Sequence, residues 1–164
     1  MTMITSDMQA IFPRAGVSYV ATICADGSPN LSPKATVMPY DADHLVFMNQ
    51  DSPATFANLR RDPRVEINTV DPFARRGYRF KGRAEIVPAG EPVFEWLQNK
   101  LLAIIGPGYP MHEAALVHIE HTAPVNSPAY GWGDASETEL VAAYAQRYVH
   151  AAGLSPEDLK VAAQ

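Results

Sequence analysis

The stretch that most constrains this chain runs from Arg64 to Val87. Arg64–Val70 and Gly77–Val87 read as two strands, joined by a loop with Asp71-Pro72 and Gly77 as its turn residues. In the second strand Tyr78, Phe80, Gly82, Ala84 and Ile86 alternate with Arg79, Lys81, Arg83 and Glu85. That period of two marks a half-buried antiparallel strand, with one face packed and the other charged. Eight of the thirteen Lys and Arg lie between Arg60 and Arg83, against three acids, Asp62, Glu66 and Asp71. In a chain of net charge -5, such a gathering of cations is either a place for an anion or a sheet edge kept soluble by charge.

The segments around the hairpin extend the sheet. Val17–Ala25, Leu31–Met38 and Leu45–Asn49 read as short strands with tight turns at Asp26-Gly27 and Asp41–Asp43, which is a meander. Pro33 belongs at an edge or a bulge. A short helix over Asp7–Phe12 comes first, with Ser6 as N-cap and Gln9 completing a capping box. Ser52-Pro53 opens a second helix, serine at the N-cap and proline at N1; Phe56 and Leu59 point inward and Asp62-Pro63 stops it. Glu91–Ile105 is the longest helix, with Val93, Phe94, Leu97, Leu101 and Ile104 as its apolar stripe and Gly106-Pro107 as its stop. Ala115–Glu120 is a sixth strand, Val125–Gly133 is irregular, Glu137–Ala151 is an amphipathic helix, and Ser155-Pro156 begins a last short one. The expectation is a mainly-β single domain over 1–164, a six-stranded antiparallel barrel with peripheral helices, because an open sheet would expose an edge. The barrel core occupies about 16–125 and a helical extension 134–164.

Several chemistries are disfavoured. The acidic balance argues against general nucleic-acid binding. The lone Cys24 forms no internal disulfide and no CxxC pair exists, which suits a cytoplasmic protein. No apolar run approaches the roughly 18 residues of a membrane span, and no signal peptide is evident. No metal site is expected: His118 and His121, three apart in a strand, face opposite ways, and Asp41, Asp43 and His44 gather in a turn where nothing else converges. There is no GxSxG, no Walker A and no GxGxxG, and Ser32 near Lys34 lacks an adjacent base.

Phosphate binding has more behind it. Lys34, Arg79, Lys81 and Arg83 are strand cations, and the helix start at Ser52–Thr55 offers backbone N–H groups and two hydroxyls. If Leu31–Met38 lies beside the central hairpin, Lys34 and the Arg79/Lys81 face frame one phosphate near that helix start. Each residue also has a bland role: Lys34 as a solvated strand residue, Ser52 as a cap, Asn58 as a surface helix residue. Trp132, with Tyr130 among glycines, is either core or interface packing or a ring stacked on a flat ligand or a partner subunit.

Three segments together resemble a known family. They are Tyr19-Val20-Ala21-Thr22 with Asp26-Gly27-Ser28-Pro29-Asn30-Leu31-Ser32-Pro33-Lys34, then Ser52–Val65, then Val70–Ala84. In order and spacing they are similar to the pyridoxamine 5'-phosphate oxidase-like FMN-binding split barrels, over about residues 8–88. The resemblance implies a split barrel that dimerises, with FMN in clefts between the subunits. It implies Lys34, Ala35 and Thr36 along the flavin edge, with Lys34 toward the phosphate and Thr36 or the backbone beside it as donors to the ring. Asn49 would lie by the ribityl chain or ring, and Ser52, Thr55 and Asn58 would approach the phosphate. Arg79 or Lys81 would compensate for a basic residue the family often has in that helix, and Trp132 would complete the pocket from the second subunit. The activity implied is electron or hydride transfer between a reduced nicotinamide, NADH or NADPH, and a small conjugated acceptor such as a flavin, quinone or nitroaromatic. The alternatives are a deazaflavin-dependent reductase and a non-catalytic flavin or haem binder.

Overall fold

The computed structural model describes residues 3–155. Seven strands form one curled antiparallel sheet: β1 (Ser18–Ile23), β2 (Pro29–Lys34), β3 (Met38–Pro39), β4 (His44–Met48), β5 (Arg64–Asp71), β6 (Arg76–Pro88) and β7 (Glu113–Asn126). Their spatial order is β2-β1-β5-β6-β7-β4-β3. The architecture is the mainly-β split barrel the sequence implies, and the seventh strand arises because Leu31–Met38 breaks in two. Its first half pairs with β1 and its second with β4, at opposite ends of the sheet. Only residues 35–37 join those ends. Three linking residues span at most about 14 Å, so the sheet has to curl until its edges nearly meet. The barrel is closed there by chain rather than by a ladder, and that gap is the split.

The long hairpin forms as its alternation requires. Arg64 pairs with Arg83 and Asp71 with Arg76, which puts Val65, Ile67 and Phe80 inside and Arg64, Glu66, Arg79, Lys81 and Arg83 outside. At Gly82 a Cβ would stand 2.0 Å from the carbonyl oxygen of His118, so only glycine lets β6 and β7 pair this closely. A register shift at that point leaves Glu120 without a cross-strand partner. His121 pairs with Lys81 and His118 with Arg83, so this bulge returns both histidines to the outer face and corrects the expectation that they face opposite ways.

Helices plug and flank the barrel. α1 (Ser6–Ala15) buries Ile11 and Phe12, the latter against Phe80 with ring centroids 5.6 Å apart. Thr5, not Ser6, caps it, accepting a bond from the N–H of Met8. α2 (Pro53–Arg61) connects β4 to β5 and inserts Phe56 edge-on against Phe47. α3 (Pro92–Ile105) packs Phe94, Leu97 and Leu101 on Val46, Met48, Val87 and Ala114 of the outer face, each buried side chain contributing about 2 kcal/mol. Its apolar stripe stops short of the expected Ile104, which is 69% exposed. The segment expected to be irregular is the end of β7 followed by α4 (Ala129–Trp132), then α5 (Glu137–Ala151) behind a Ser136/Glu139 capping box. α5 is tied down at its start, where Glu137 pairs with Arg14 at 2.7 Å and Arg76 at 2.6 Å. The helix expected from Ser155-Pro156 lies outside the described residues. Among the described residues, no helix is long and apolar enough to cross a membrane.

Candidate functional site

The split places one end of β2 against the start of α2. Lys34, last residue of β2, shares its face with Asn30 and Ser32, the face that looks into the barrel. Its side chain is buried, its Nζ lies 5.6 Å from the Phe47 ring centre, and it donates to Ser52 Oγ at 2.6 Å and Ser32 Oγ at 3.2 Å. Both acceptors are neutral. No carboxylate among the described residues pairs with Lys34, and burial alone pushes its pKa below the ordinary lysine value. A desolvated cation held only by hydroxyls is an incomplete arrangement that an anion would complete.

The helix start completes the surroundings. Ser52 occupies the cap position of α2, yet no side chain caps the helix in the usual way. Asn49 Oδ1 instead accepts from the Ser52 N–H at 3.2 Å and from the Ser52 hydroxyl at 3.5 Å, and the hydroxyl oxygen receives Lys34. Pro53 at N1 has no N–H, so the donors of Ala54 and Thr55 are the ones open to an anion. Thr36 sits in the linking turn, its Oγ1 accepting the N–H of Met48 at 3.1 Å and its own hydroxyl proton still available to donate. These residues surround a hollow of about 230 Å³, lined among others by Ser32, Lys34, Ala35, Thr36, Gln50 and Ser52. Gln50 Nε2 is buried there without a hydrogen-bond partner, a second incomplete polar group at the same place.

Of the residues singled out in the sequence, Lys34, Ala35, Thr36 and Ser52 line the hollow, and Asn49 holds its rim. Thr55 and Asn58 are buried but face β1 and β2. Thr55 Oγ1 accepts from Asn30 Nδ2 at 3.4 Å, and Asn58 Nδ2 donates to Thr22 Oγ1 at 3.1 Å. Asn58 is thus a packed residue of the α2–β1 contact rather than a surface one. Arg79 and Lys81 stand on the outer face of β6, both paired with Glu66, at 3.5 and 3.4 Å. Lys34 and the Arg79/Lys81 face therefore do not frame one phosphate within a single chain, because the sheet lies between them. Trp132 is not core: it ends α4 and is 93% exposed, beside Tyr130, whose hydroxyl donates to the Ala74 carbonyl. Sequence reasoning missed Gln50, which no local pattern marks, and Glu113, which reaches Asn49 from 64 residues away. No group of three or more His, Cys, Asp or Glu among the described residues could hold a metal ion.

The fold and hollow define a class first: a split antiparallel barrel with a buried, unpaired cation at its split. The pyridoxamine 5'-phosphate oxidase family profile matches residues 4–125, from before α1 to the end of β7, and the chain belongs to that family. This is a family of FMN-binding, oxidoreductase-like split barrels. Among solved structures, HupZ from Group A Streptococcus is 27% identical, covering 76% of this chain and 99% of its own, with a TM-score of 0.65. An FMN-binding protein from Syntrophomonas wolfei subsp. wolfei is 12% identical, covering 73% and 84%, with a TM-score of 0.64, a likeness of fold alone. No curated protein sequence matches the chain.

Proposed function

We propose that this protein is an FMN-dependent oxidoreductase, working as a homodimer in the cytoplasm and carrying hydride or electrons from a reduced nicotinamide to a small conjugated acceptor such as a flavin, quinone or nitroaromatic. The observation that carries the reading is Lys34, a buried cation with only hydroxyl partners, facing the uncapped start of α2. A phosphate monoester supplies the anion these groups lack. Lys34, the Ser52 hydroxyl and the N–H groups of Ala54 and Thr55 would hold it, and Gln50 Nε2 adds a donor. The Ala35–Thr36 backbone and the Thr36 hydroxyl would border the ring edge, where a donor favours a reduced, anionic ring. FMN supplies the hydride and electron chemistry when bound, and the chain's part is to place and tune it.

A dimer is supported by the outer face of β1 and β2, where Tyr19 and Leu31 are 49% and 64% exposed, next to a second hollow of about 420 Å³. Trp132 is the exposed aromatic that a second copy would meet.

Absorption of the purified protein, then titration with FMN, tests the reading. Flavin bands, or saturable binding of added FMN near one per chain, are expected, with bleaching on anaerobic addition of NADH or NADPH. A haem Soret band, or no binding of FMN, overturns it. Sedimentation velocity tests the dimer, and a monomer at micromolar concentration would remove it.

A further inference from the structure

Glu113 opens β7 on the far side of the site and does not line the hollow. Its Oε1 accepts from Asn49 Nδ2 at 3.0 Å, its backbone carbonyl accepts from the Asn49 N–H at 2.8 Å, and its other carboxylate oxygen receives Arg60 from the last turn of α2. The bonds then run on without interruption: Asn49 Oδ1 to the Ser52 N–H, and Ser52 Oγ to Lys34 Nζ. Arg60, Glu113, Asn49, Ser52 and Lys34 form one chain of donors and acceptors.

The direction of the Asn49 amide decides what Ser52 does. An asparagine amide offers an oxygen acceptor on one side and two N–H donors on the other. Turned over, it would set donors against the Ser52 N–H and oxygen against the Glu113 carboxylate, so a carboxylate on the Nδ2 side fixes the orientation. Asn49 Oδ1 accepts both the Ser52 N–H at 3.2 Å and the Ser52 hydroxyl proton at 3.5 Å, which turns the hydroxyl oxygen toward Lys34. A serine at an N-cap ordinarily turns its oxygen back onto the N–H groups two or three residues on. Without the anchored asparagine, Ser52 would take that role, withdraw from Lys34 and occupy the donors an anion needs.

We infer that Glu113, clamped by Arg60, is a positioning residue for the phosphate of the bound ligand. It acts through Asn49 to hold Ser52 Oγ on Lys34 and off the α2 N–H groups, which stay open to a phosphate monoester. This rests on the reading of the hollow as the FMN phosphate site.

Dissociation constants of FMN and riboflavin, measured by flavin fluorescence on the full chain, separate the possibilities. Riboflavin is the same ring and ribityl chain without the phosphate. The wild type is expected to bind FMN about 30-fold more tightly than riboflavin, and Glu113→Ala to lose about 10-fold toward FMN with riboflavin unchanged. Glu113→Gln, whose amide oxygen still accepts from Asn49, is expected to recover most of that loss. Arg60→Ala, on an exposed helix turn, should narrow the split about 3-fold and serves if Glu113→Ala does not fold. An unchanged FMN-to-riboflavin ratio in Glu113→Ala and Arg60→Ala, or equal losses toward both ligands, would overturn the role of Glu113 while leaving the phosphate site standing. A wild type that does not distinguish FMN from riboflavin would overturn both.

Discussion

Among the described residues two charged side chains are buried, Asp71 and Lys34, and they are treated differently. Asp71, at the β5–β6 turn, accepts from the N–H groups of Phe73 and Ala74 at 2.8 and 2.9 Å and pairs with Arg14 at 2.6 Å. Its charge is spent on the fold: it shapes the turn and pins α1 to it. Lys34 is nearly as buried, yet it has two hydroxyls and no counter-charge. A fully partnered buried charge is structural, whereas one left short of partners persists when something absent from the chain completes it. The contrast separates scaffold from site without appeal to how many cations lie nearby.

The largest expected effect tests the scaffold half. Asp71→Ala strands two backbone donors and leaves Arg14 with Glu137 as its one remaining carboxylate. The change should cost about 3 kcal/mol, a fall in Tm of roughly 6–12 °C, with FMN affinity unchanged in the folded fraction. Thermal unfolding followed by flavin titration checks both parts, and a selective loss of FMN binding would erase the distinction. Lys34→Met should do the reverse. Replacing an unpaired buried cation with an apolar chain of similar length leaves the apoprotein as stable or more so, while FMN affinity falls about 30-fold, or ~2 kcal/mol. A lower apoprotein Tm with affinity retained would mean that Lys34 is scaffold after all.

Acidity offers a subtler test. Burial holds the folded-state pKa of Lys34 below its ordinary value of 10.5. Between those two values the unfolded chain binds more protons than the folded one, so this group's contribution to stability rises with pH. A bound phosphate favours the charged form and pulls the pKa back up. The rise in Tm produced by FMN should therefore shrink as pH climbs through that window, and Lys34→Met should abolish the trend. A decline that persists unchanged in Lys34→Met would trace the effect to another group.

The same contrast explains what the sequence could show. The β5–β6 hairpin was legible because eight or more residues alternate without interruption and Asp71-Pro72 announces the turn. The split was not, because Pro33 obscures the parity of Leu31–Met38, and no pattern reveals that its two halves pair with strands at opposite edges of the sheet. Lys34 was found as a cation and grouped with the wrong companions. It has the parity of Ser32 and Asn30, facing inward, while Arg79 and Lys81 face out. The start of α2 was legible from Ser52-Pro53, but not the exchange in which Asn49 takes the N–H and Ser52 takes Lys34, since Glu113 lies far off in sequence. The extra residue Glu120 hid half of β7 by breaking its alternation.

The outer cations are where the smallest effect is expected. Arg79 and Lys81 share one carboxylate, Glu66, at distances of 3.4–3.5 Å and with about half of each side chain in water. Pairs of this kind contribute under about 0.5 kcal/mol, so Lys81→Ala and Arg79→Ala should leave Tm within 2 °C and FMN affinity within about 2-fold. The measurement is informative because the wrong answer is specific. If Lys81→Ala weakened FMN binding as much as Lys34→Met, the phosphate would have to meet both faces of the sheet at once. A single chain cannot arrange that, so the loss would assign Lys81 to a site completed by the outer face of a second copy, and should then vanish on dilution to monomers. If the effect stays small, the Arg79 and Lys81 charges on the outer face of β6 are a solvated face, and the buried lysine at the split remains the strand cation that matters for binding.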